Sequence, residues 1–249
     1  MSRPASAVAA TLAQTATELR LTARRGENVL VTIIIPAVVL LFFASSGVLP
    51  TGAGRPVDFL LPGSLALAVI ATSLVNLGIT TAYERHYGVL KRLGGSPLTR
   101  GGLLTAKMLA VLAIEIAQVV LLVGIAVLAL GWTVPSDALP SLLVIALLLG
   151  TVAFAGLGLL MAGALRAEAT LALANGLFLV ALMLGGIVLP LDHLADPLAA
   201  IAGVLPAAAL ATTFRVALGS GGDATAPVAI LLAWGVGAVV LTVRTFRWE

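Results

Sequence analysis

The 249-residue chain has no cysteine and few charged or aromatic residues. Without cysteine it can form neither disulfides nor thiolate metal sites. Only 10% of its residues are charged, whereas a soluble domain carries about 25%. Hydrophobic residues make up 60% of the chain, and its mean hydropathy is +1.15. This composition excludes an ordinary soluble domain and indicates an integral membrane protein.

Several functional motifs are also missing from the sequence. It contains neither a G-x-x-x-x-G-K-[ST] phosphate-binding loop nor an H-E-x-x-H metal motif. The net charge of +3 does not indicate nucleic acid as a partner, because the basic residues cluster beside apolar segments. We therefore expect no nucleotide, cofactor or metal to bind to this chain itself.

Long apolar segments dominate what is present. A bilayer core of about 30 Å is crossed by about 20 apolar residues in a helix. Six segments reach that length, and the fourth is rich in glycine, which lets helices approach closely. The sequence predicts membrane spans at residues 29–49, 59–82, 108–130, 139–165, 169–189 and 226–243.

The remaining segments complete an all-α integral membrane fold. Residues 1–28 carry apolar residues near helical spacing and several arginines, which predicts an amphipathic helix on the membrane surface. Residues 29–249 form the six-helix domain. Within it, residues 190–225 are apolar but interrupted by Pro197 and Pro206, which favours a re-entrant helical hairpin before the last span. The alternative is a seventh full span.

The distribution of basic residues predicts the orientation. Twelve of the 14 Lys and Arg residues fall in one set of connections, and only Arg55 and Arg215 fall in the opposite set. Since basic connections stay in the cytoplasm, we expect both termini and residues 83–107 to be cytoplasmic in a bacterial plasma membrane.

Residues 83–107 form the most basic connection. We expect a short helix from Glu84 to Leu93, a stop at the following two glycines, an N-cap at Ser96 and a new helix from Leu98. An ordinary positively charged loop is the other interpretation of this stretch. It contains five basic residues: Arg85, Lys91, Arg92, Arg100 and Lys107.

Few polar side chains fall inside the predicted spans. Glu115 is the one charged residue well within a span, and Gln118 follows it by one helical turn. Glu115 is either a substrate or gating contact, or a protonated or hydrogen-bonded packing residue. Asn76 interrupts the second span. Arg215, in the broken segment, is expected to reach the outer surface or to pair with an aspartate such as Asp192 or Asp196.

Two patterns carry a family resemblance. Glu84-Arg85-x-x-Gly88-x-Leu90-Lys91-Arg92-Leu93, followed by Pro97-x-x-Arg100 and Lys107, resembles the cytoplasmic loop of permease subunits of type-2 ABC exporters. Gly185-Gly186-x-x-Leu189-Pro190, followed by Pro197, Leu205-Pro206 and Arg215, is similar to the region before the last span of the same family. Within that family, the chain is similar to the bacterial daunorubicin-type drug-export permeases.

The resemblance implies an ATP-driven exporter for an amphipathic drug-like or lipid-like substrate. A separate cytoplasmic ATPase subunit would bind ATP and Mg, and a second permease would complete a homodimer or heterodimer in membrane lipid. Residues 190–215 would be the family's re-entrant outer hairpin. The implied ATPase interface comprises Glu84, Arg85, Gly88, Leu90, Lys91, Arg92, Leu93, Pro97 and Arg100. Candidate translocation or gating residues are Asn76, Glu115, Gln118, Pro190, Pro206 and Arg215.

The chain departs from the family pattern at two positions of this loop. Val89 stands where the family often has threonine, and His86 replaces an acidic residue. Two other function classes remain as alternatives. One is a secondary transporter or channel that needs no partner. The other is an intramembrane enzyme acting on lipid, although the sequence offers it no nucleophile or metal set.

Overall fold

A computed structural model describes residues 6–24, 26, 30–47, 54–93 and 99–245. For residues 30, 31, 93 and 100, only the backbone is described. Within these ranges every regular element is helical, as expected for an all-α membrane fold. The first elements are α1 (Ala7–Arg24), a π-helical turn (Leu30–Ile34) leading into α2 (Ile35–Ser46), and α3 (Pro56–Ile70), which continues through a π-helical segment (Ala71–Asn76) into α4 (Leu77–His86).

The rest of the described chain supplies the remaining helices. A 3-10 turn, Leu191–His193, precedes a pair of short helices. The helices are α5 (Val89–Leu93), α6 (Arg100–Leu130), α7 (Pro140–Ala164), α8 (Ala167–Leu184), α9 (Asp196–Gly203), α10 (Pro206–Ala217) and α11 (Thr225–Thr245).

Five helices of the described chain are long and apolar enough to cross a membrane. They match the second to sixth predicted spans. The predicted first span is represented by a shorter apolar helix, Thr32–Ser46, while residues 29, 48 and 49 of that span lie outside the described ranges. The five long helices are Pro56–His86, Gly101–Leu130, Pro140–Ala164, Ala167–Leu184 and Thr225–Thr245.

The bundle has two ends, which we name by their connections. The loop end carries His86, α5 and the start of α6, and the hairpin end carries α9 and α10. At the hairpin end, Arg55 Nη2 donates to the carbonyls of Leu130 and Gly131 over 2.8 and 3.0 Å, so the start of α3 meets the end of α6. Such an arginine satisfies carbonyls that a helix C-terminus leaves unbonded.

The α9–α10 pair forms a re-entrant hairpin, as predicted. The two helices are bent by 78°. The break reaches the middle of α11, where Trp234 Nε1 donates to the carbonyl of Val204 over 2.9 Å. The chain then returns to the hairpin end, where the N–H of Leu139, just before α7, donates to the carbonyl of Ala217 over 2.7 Å. Because α9 also starts at this end, the pair does not make a seventh crossing.

Small residues bring α7 into close contact with its neighbours, as the glycine content of the fourth span predicts. A Cβ added at Gly156 would lie 2.8 Å from the Cβ of Ala238 in α11. A Cβ added at Gly158 would lie 2.9 Å from the carbonyl oxygens of Ser73 and Leu74 in the π-helical segment. These two glycines therefore set the spacing between α7, α11 and the second span.

The N-terminal helix α1 packs against α6. Glu18 is buried in this contact, whereas Val8 and Leu12 are exposed. An exposed apolar face beside a buried polar contact is consistent with a helix at the membrane surface, which stays a prediction. The helix lies within the predicted N-terminal segment 1–28.

Candidate functional site

The connection at the loop end differs in detail from the sequence prediction. Glu84 does not start the short helix, because the second span continues as α4 through His86. The chain turns at Tyr87 and at Gly88, which has φ +69°. A five-residue helix, α5, follows. The predicted helix from Glu84 to Leu93 is thus wrong in its start, since the left-handed turn that separates the two helices needs the glycine at position 88.

The next helix also begins later than predicted. It starts at Arg100, not Leu98, and its N-cap is Thr99, whose Oγ1 accepts a hydrogen bond from the N–H of Gly102 over 3.0 Å. The predicted N-cap at Ser96, together with Pro97 and the two glycines before them, lies outside the described residues. Threonine serves as an N-cap through the same side-chain oxygen chemistry as serine.

Only part of α5 faces outward. Lys91 and Arg92 are exposed, and Val89 is 37% exposed. Leu90, which the resemblance implies as an interface residue, is only 2% exposed and belongs to the interior of the chain. Leu93 is the last residue of the helix. Among the described side chains of α5, the exposed surface is therefore basic at Lys91 and Arg92 and apolar at Val89.

Arg85 is bound within the chain. Its guanidinium donates hydrogen bonds from Nη1 and Nη2 to the carbonyls of Gly163 and Leu165. These carbonyls end α7, where a helix leaves its last acceptors unbonded and its dipole favours a cation. Arg85 consequently ties the end of the second span to the end of α7, which is a structural role in addition to any contact with a partner.

A buried ion cluster joins three helices at the loop end. Lys107 Nζ of α6 lies 3.0 Å from Glu18 Oε1 of α1 and 2.7 Å from Glu84 Oε2 of α4. The lysine side chain is only 2% exposed, and the two carboxylates are 10% and 12% exposed. We name Glu18, Glu84 and Lys107 the loop-end ion cluster. The two ion pairs of Lys107 fix α1, α4 and α6 relative to one another.

Asn76 lies near this cluster. It lines a narrow cavity of about 20 Å³ together with Glu18, Thr80 and Lys107. Thr80 Oγ1 donates to Asn76 Oδ1 over 3.3 Å. The structure therefore groups Asn76 with the loop end, and it does not bring Asn76 together with Glu115.

Glu115 and Gln118 meet polar side chains of neighbouring helices inside the bundle. Ser73 of the π-helical segment contacts Glu115 Oε1, and Thr151 of α7 contacts Glu115 Oε2. One turn away, Gln118 Nε2 donates to Thr72 Oγ1 over 2.9 Å and to the carbonyl of Thr32 over 2.6 Å. All five residues whose side chains meet here are at most 3% exposed: Thr72, Ser73, Glu115, Gln118 and Thr151. Glu115 is a hydrogen-bonded interior residue, in agreement with one of its two predicted roles.

Arg215 holds the hairpin against the start of the second span. Its guanidinium carbon lies 4.2 Å from the ring centroid of Phe59, and Nη2 donates to the carbonyl of Gly186. The predicted pairing with Asp192 or Asp196 is wrong, since no ion pair joins Arg215 to either in the described residues. A π-face and a carbonyl are nearer partners inside the bundle. Arg215 therefore links α10, α3 and the segment that follows α8.

The two prolines proposed for gating sit at helix starts of this hairpin. Pro190 precedes the 3-10 turn, and Pro206 is the first residue of α10, where it is buried. Proline suits the first helical position because its missing N–H would have no partner there. The sequence could find these residues because proline marks helix starts.

Sequence reasoning missed Glu18 and three hydroxyl residues, Thr72, Ser73 and Thr151. Glu18 had a weak signal, as it is the only acidic residue before Glu27. The hydroxyl residues had none, because serine and threonine in a membrane helix commonly bond to their own backbone.

The arrangement as a whole defines a multi-pass α-helical membrane protein, with a short basic helix at one end and a re-entrant hairpin at the other. A family model described as ABC-2 type transporter matches residues 10–218. The chain belongs to this family, and it is the membrane-spanning permease component of an ABC-type transporter, without catalytic activity of its own. A search of curated proteins found no match.

Proposed function

We propose that the chain is the permease subunit of an ATP-driven exporter in the bacterial plasma membrane. It would act with a second permease subunit and with cytoplasmic ATPase subunits, which would bind ATP and Mg. Family membership supports the permease role, and the observation that carries the coupling is α5, a short basic helix set between the second and third spans by the turn at Gly88.

The contacts around α5 can transmit a movement into the bundle. Two backbone hydrogen bonds hold the turn. The N–H of Gly88 donates to the carbonyl of Arg85 over 3.0 Å, and the N–H of Arg92 donates to the carbonyl of Gly88 over 3.2 Å. The helix is thereby fixed to the end of α4 with little freedom to swing. A force on α5 would reach α4 directly, and then α7 through Arg85.

The loop-end ion cluster extends this transmission to α1 and α6. Lys107 binds Glu84 of α4 on one side and Glu18 of α1 on the other. Buried ion pairs of this kind hold a defined geometry, because separating them leaves uncompensated charge. Helices α1, α4, α6 and α7 would consequently move as a unit with α5 when the ATPase subunits close.

The membrane-facing surface favours an amphipathic substrate. An apolar groove of about 280 Å³ lies between α6 and α7, and threonines are its only polar lining. Apolar lining with a few hydroxyls suits drug-like or lipid-like molecules better than ions or sugars. The lining includes Leu104, Met108, Leu109, Leu112, Leu148 and Val152.

The direct test reverses the charge of α5. We expect Arg92→Glu to abolish retention of the co-purifying ATPase and export of a fluorescent amphiphile, because the exposed basic surface becomes acidic. Arg244→Glu is the matched control: Arg244 is also an exposed arginine, in the last turn of α11. Unchanged ATPase retention and export in Arg92→Glu would contradict the proposal.

A second test separates coupling from folding. Gly88→Pro cannot adopt φ +69°, and it removes the N–H that binds Arg85. We expect the variant to insert in the membrane and to keep its hairpin, yet to lose ATP-dependent export. Gly101→Ala, at a glycine with nothing within 4 Å of an added Cβ, should export normally. Export by Gly88→Pro at the wild-type rate would show that α5 does not transmit the movement.

A further inference from the structure

The interior contacts of Glu115 contain more acceptors than the hydroxyl groups can supply with hydrogen. Thr151 Oγ1 lies within hydrogen-bonding distance of Glu115 Oε2, and it also lies 2.7 Å from the carbonyl oxygen of Leu147. A hydroxyl carries one hydrogen, and a carbonyl oxygen can only accept. Ser73 supplies the hydrogen for the other carboxyl oxygen, Oε1.

A neutral carboxylic acid satisfies all three contacts at once. Ser73 donates to Glu115 Oε1, the carboxyl proton on Oε2 is donated to Thr151 Oγ1, and Thr151 donates to its own helix at Leu147, as threonines in helices often do. With an ionised carboxylate, Thr151 would have to give up one of its two acceptors. The hydrogen count therefore favours a proton on Glu115.

The charges around Glu115 point to the same state. The helices that pack on α6 are α1, α2, α3 with the π-helical segment, and α7. The described residues of α2 and α7 include no charged side chain, and the π-helical segment has none. The nearest charge along α6 is Lys107, about 12 Å away along the helix and already bound to two carboxylates. The other charged or titratable groups on these helices and on α4 lie at helix ends or on α1: Asp58, Tyr83, Glu84, Arg85, His86, Glu18, Arg20 and Arg24.

We propose that Glu115 is a proton-binding site inside the membrane domain. Its bound proton makes the hydrogen bond to Thr151 that joins α6 to α7, and the hydrogen bond from Ser73 joins α6 to the second span. The carboxyl of Glu115 carries this proton while the helices are packed together. If the helices separate and water enters, the carboxyl can ionise, and the packing cannot re-form until a proton returns. The site thus makes the packing of the domain sensitive to pH. This inference does not depend on an ATPase partner.

Glu115→Gln tests the proposal because it imitates the neutral acid. The amide nitrogen can donate to Thr151, and the amide oxygen can accept from Ser73. In the unfolded chain a glutamate ionises above a pH of about 4.3. Between that pH and the point where the folded site ionises, unfolding of the wild type releases one proton, so its unfolding equilibrium rises about tenfold per pH unit relative to Glu115→Gln.

The measurement is unfolding of the full chain in detergent micelles between pH 5 and pH 8, for the wild type and Glu115→Gln. Glu168→Gln is the matched control, since Glu168 is an exposed acid in the first turn of α8 and should show no pH-dependent difference. A constant difference between wild type and Glu115→Gln over this range would overturn the proposal.

Infrared spectroscopy of the full chain gives an independent readout that does not need a variant as stable as the wild type. At neutral pH the wild type should show the deuterium-sensitive C=O band of a protonated carboxylic acid. Thr151→Val removes the acceptor of the acid proton and should move the band to higher frequency without abolishing it. Absence of a protonated-acid band in the wild type, or a band unmoved by Thr151→Val, would refute the assignment.

Discussion

At the scale of single residues, Lys107 has the largest structural role at the loop end. Its ammonium compensates two carboxylates that are almost fully removed from solvent. A buried ion pair contributes little compared with a well-packed apolar alternative, but removing one partner alone leaves uncompensated charge. Loss of this lysine should therefore be far more damaging than loss of an exposed one.

We predict that Lys107→Met destabilises the chain by about 3 to 5 kcal/mol, because the buried carboxylates of Glu18 and Glu84 lose the ammonium that lies between them. Unfolding in detergent micelles measures this. The combined variant Lys107→Met with Glu18→Gln and Glu84→Gln should regain much of the loss. Lys91→Met, at an exposed lysine of α5, should stay within about 0.5 kcal/mol of the wild type. Equal effects of the two lysine variants would contradict the assigned role.

Arg85 offers a second prediction at this scale. Its planar guanidinium reaches two carbonyls at the end of α7, and a lysine ammonium lacks this two-armed geometry. We expect Arg85→Lys to cost less than Arg85→Leu, which loses both hydrogen bonds, since hydrogen bonds to charged groups contribute about 1.5 to 3 kcal/mol each. Arg92→Lys and Arg92→Leu, at an exposed position, are the matched controls, and similar losses for both arginines would exclude the capping role.

These residue contacts were beyond the reach of the sequence. Lys107 and Glu18 are 89 residues apart, and nothing in either local pattern points to the other. The sequence singled out Glu115 because charge is rare inside a span. It could not supply the partners of Glu115, because serine and threonine are common in membrane helices and give no signal of which helix they face.

At the scale of elements, the π-helical segment Ala71–Asn76 connects the second span to two neighbours. Its consecutive residues Thr72 and Ser73 both reach α6, at Gln118 and Glu115. Its carbonyls at Ser73 and Leu74 lie against Gly158 of α7. Wider π-helical turns occur often at functional positions, and here the widened turn serves the polar contacts and the close approach together.

We predict that Gly158→Ala separates these two elements. The added Cβ would lie 2.9 Å from two backbone oxygens, which cannot rotate away as a flexible side chain could. Overpacking of this kind costs about 1 to 3 kcal/mol. Gly176→Ala in α8, where an added Cβ meets nothing within 4 Å, should be neutral or slightly stabilising because alanine favours a helix. Unfolding in micelles distinguishes the two, and equal stability would show that the contact is loose.

Element positions were more predictable than element ends. Long apolar runs fixed the centres of five spans, because only a helix of that length satisfies its backbone across a bilayer. The observed ends differ from the predicted ones. The second span, for example, extends past Tyr83 to His86, through residues whose charge suggested a loop. Partners inside the chain explain the difference: Glu84 pairs with Lys107, and Arg85 caps α7, so polar residues can end a span there.

At the scale of the whole molecule, the two ends of the bundle differ in structure. The basic helix α5 and the ion cluster occupy one end, and the re-entrant hairpin occupies the other. The positive charge at the loop end predicts that this end faces the cytoplasm. The hairpin was predictable because prolines break an apolar run. How far it reaches into the bundle was not, and the contact between Trp234 and Val204 shows it.

The absence of native cysteine makes the orientation testable directly. We predict that Tyr87→Cys, at a position that is 66% exposed beside α5, reacts with a membrane-impermeant thiol reagent only in inside-out vesicles. His193→Cys, at an exposed position in the hairpin region, should react only in intact cells stripped of their outer layers. The wild type supplies the unlabelled control, and reversed labelling would invert the topology.

The pairing of α1 with α6 has a consequence for biosynthesis. Glu18 leaves the ribosome 89 residues before Lys107, which at translation rates of 5 to 20 residues per second is a delay of roughly 4 to 18 s. During that interval the helix has no lysine to bind, and its exposed leucine and valine side chains are the features available to keep it at the lipid surface. Docking of the first helix through this ion pair therefore follows synthesis of the start of the third span.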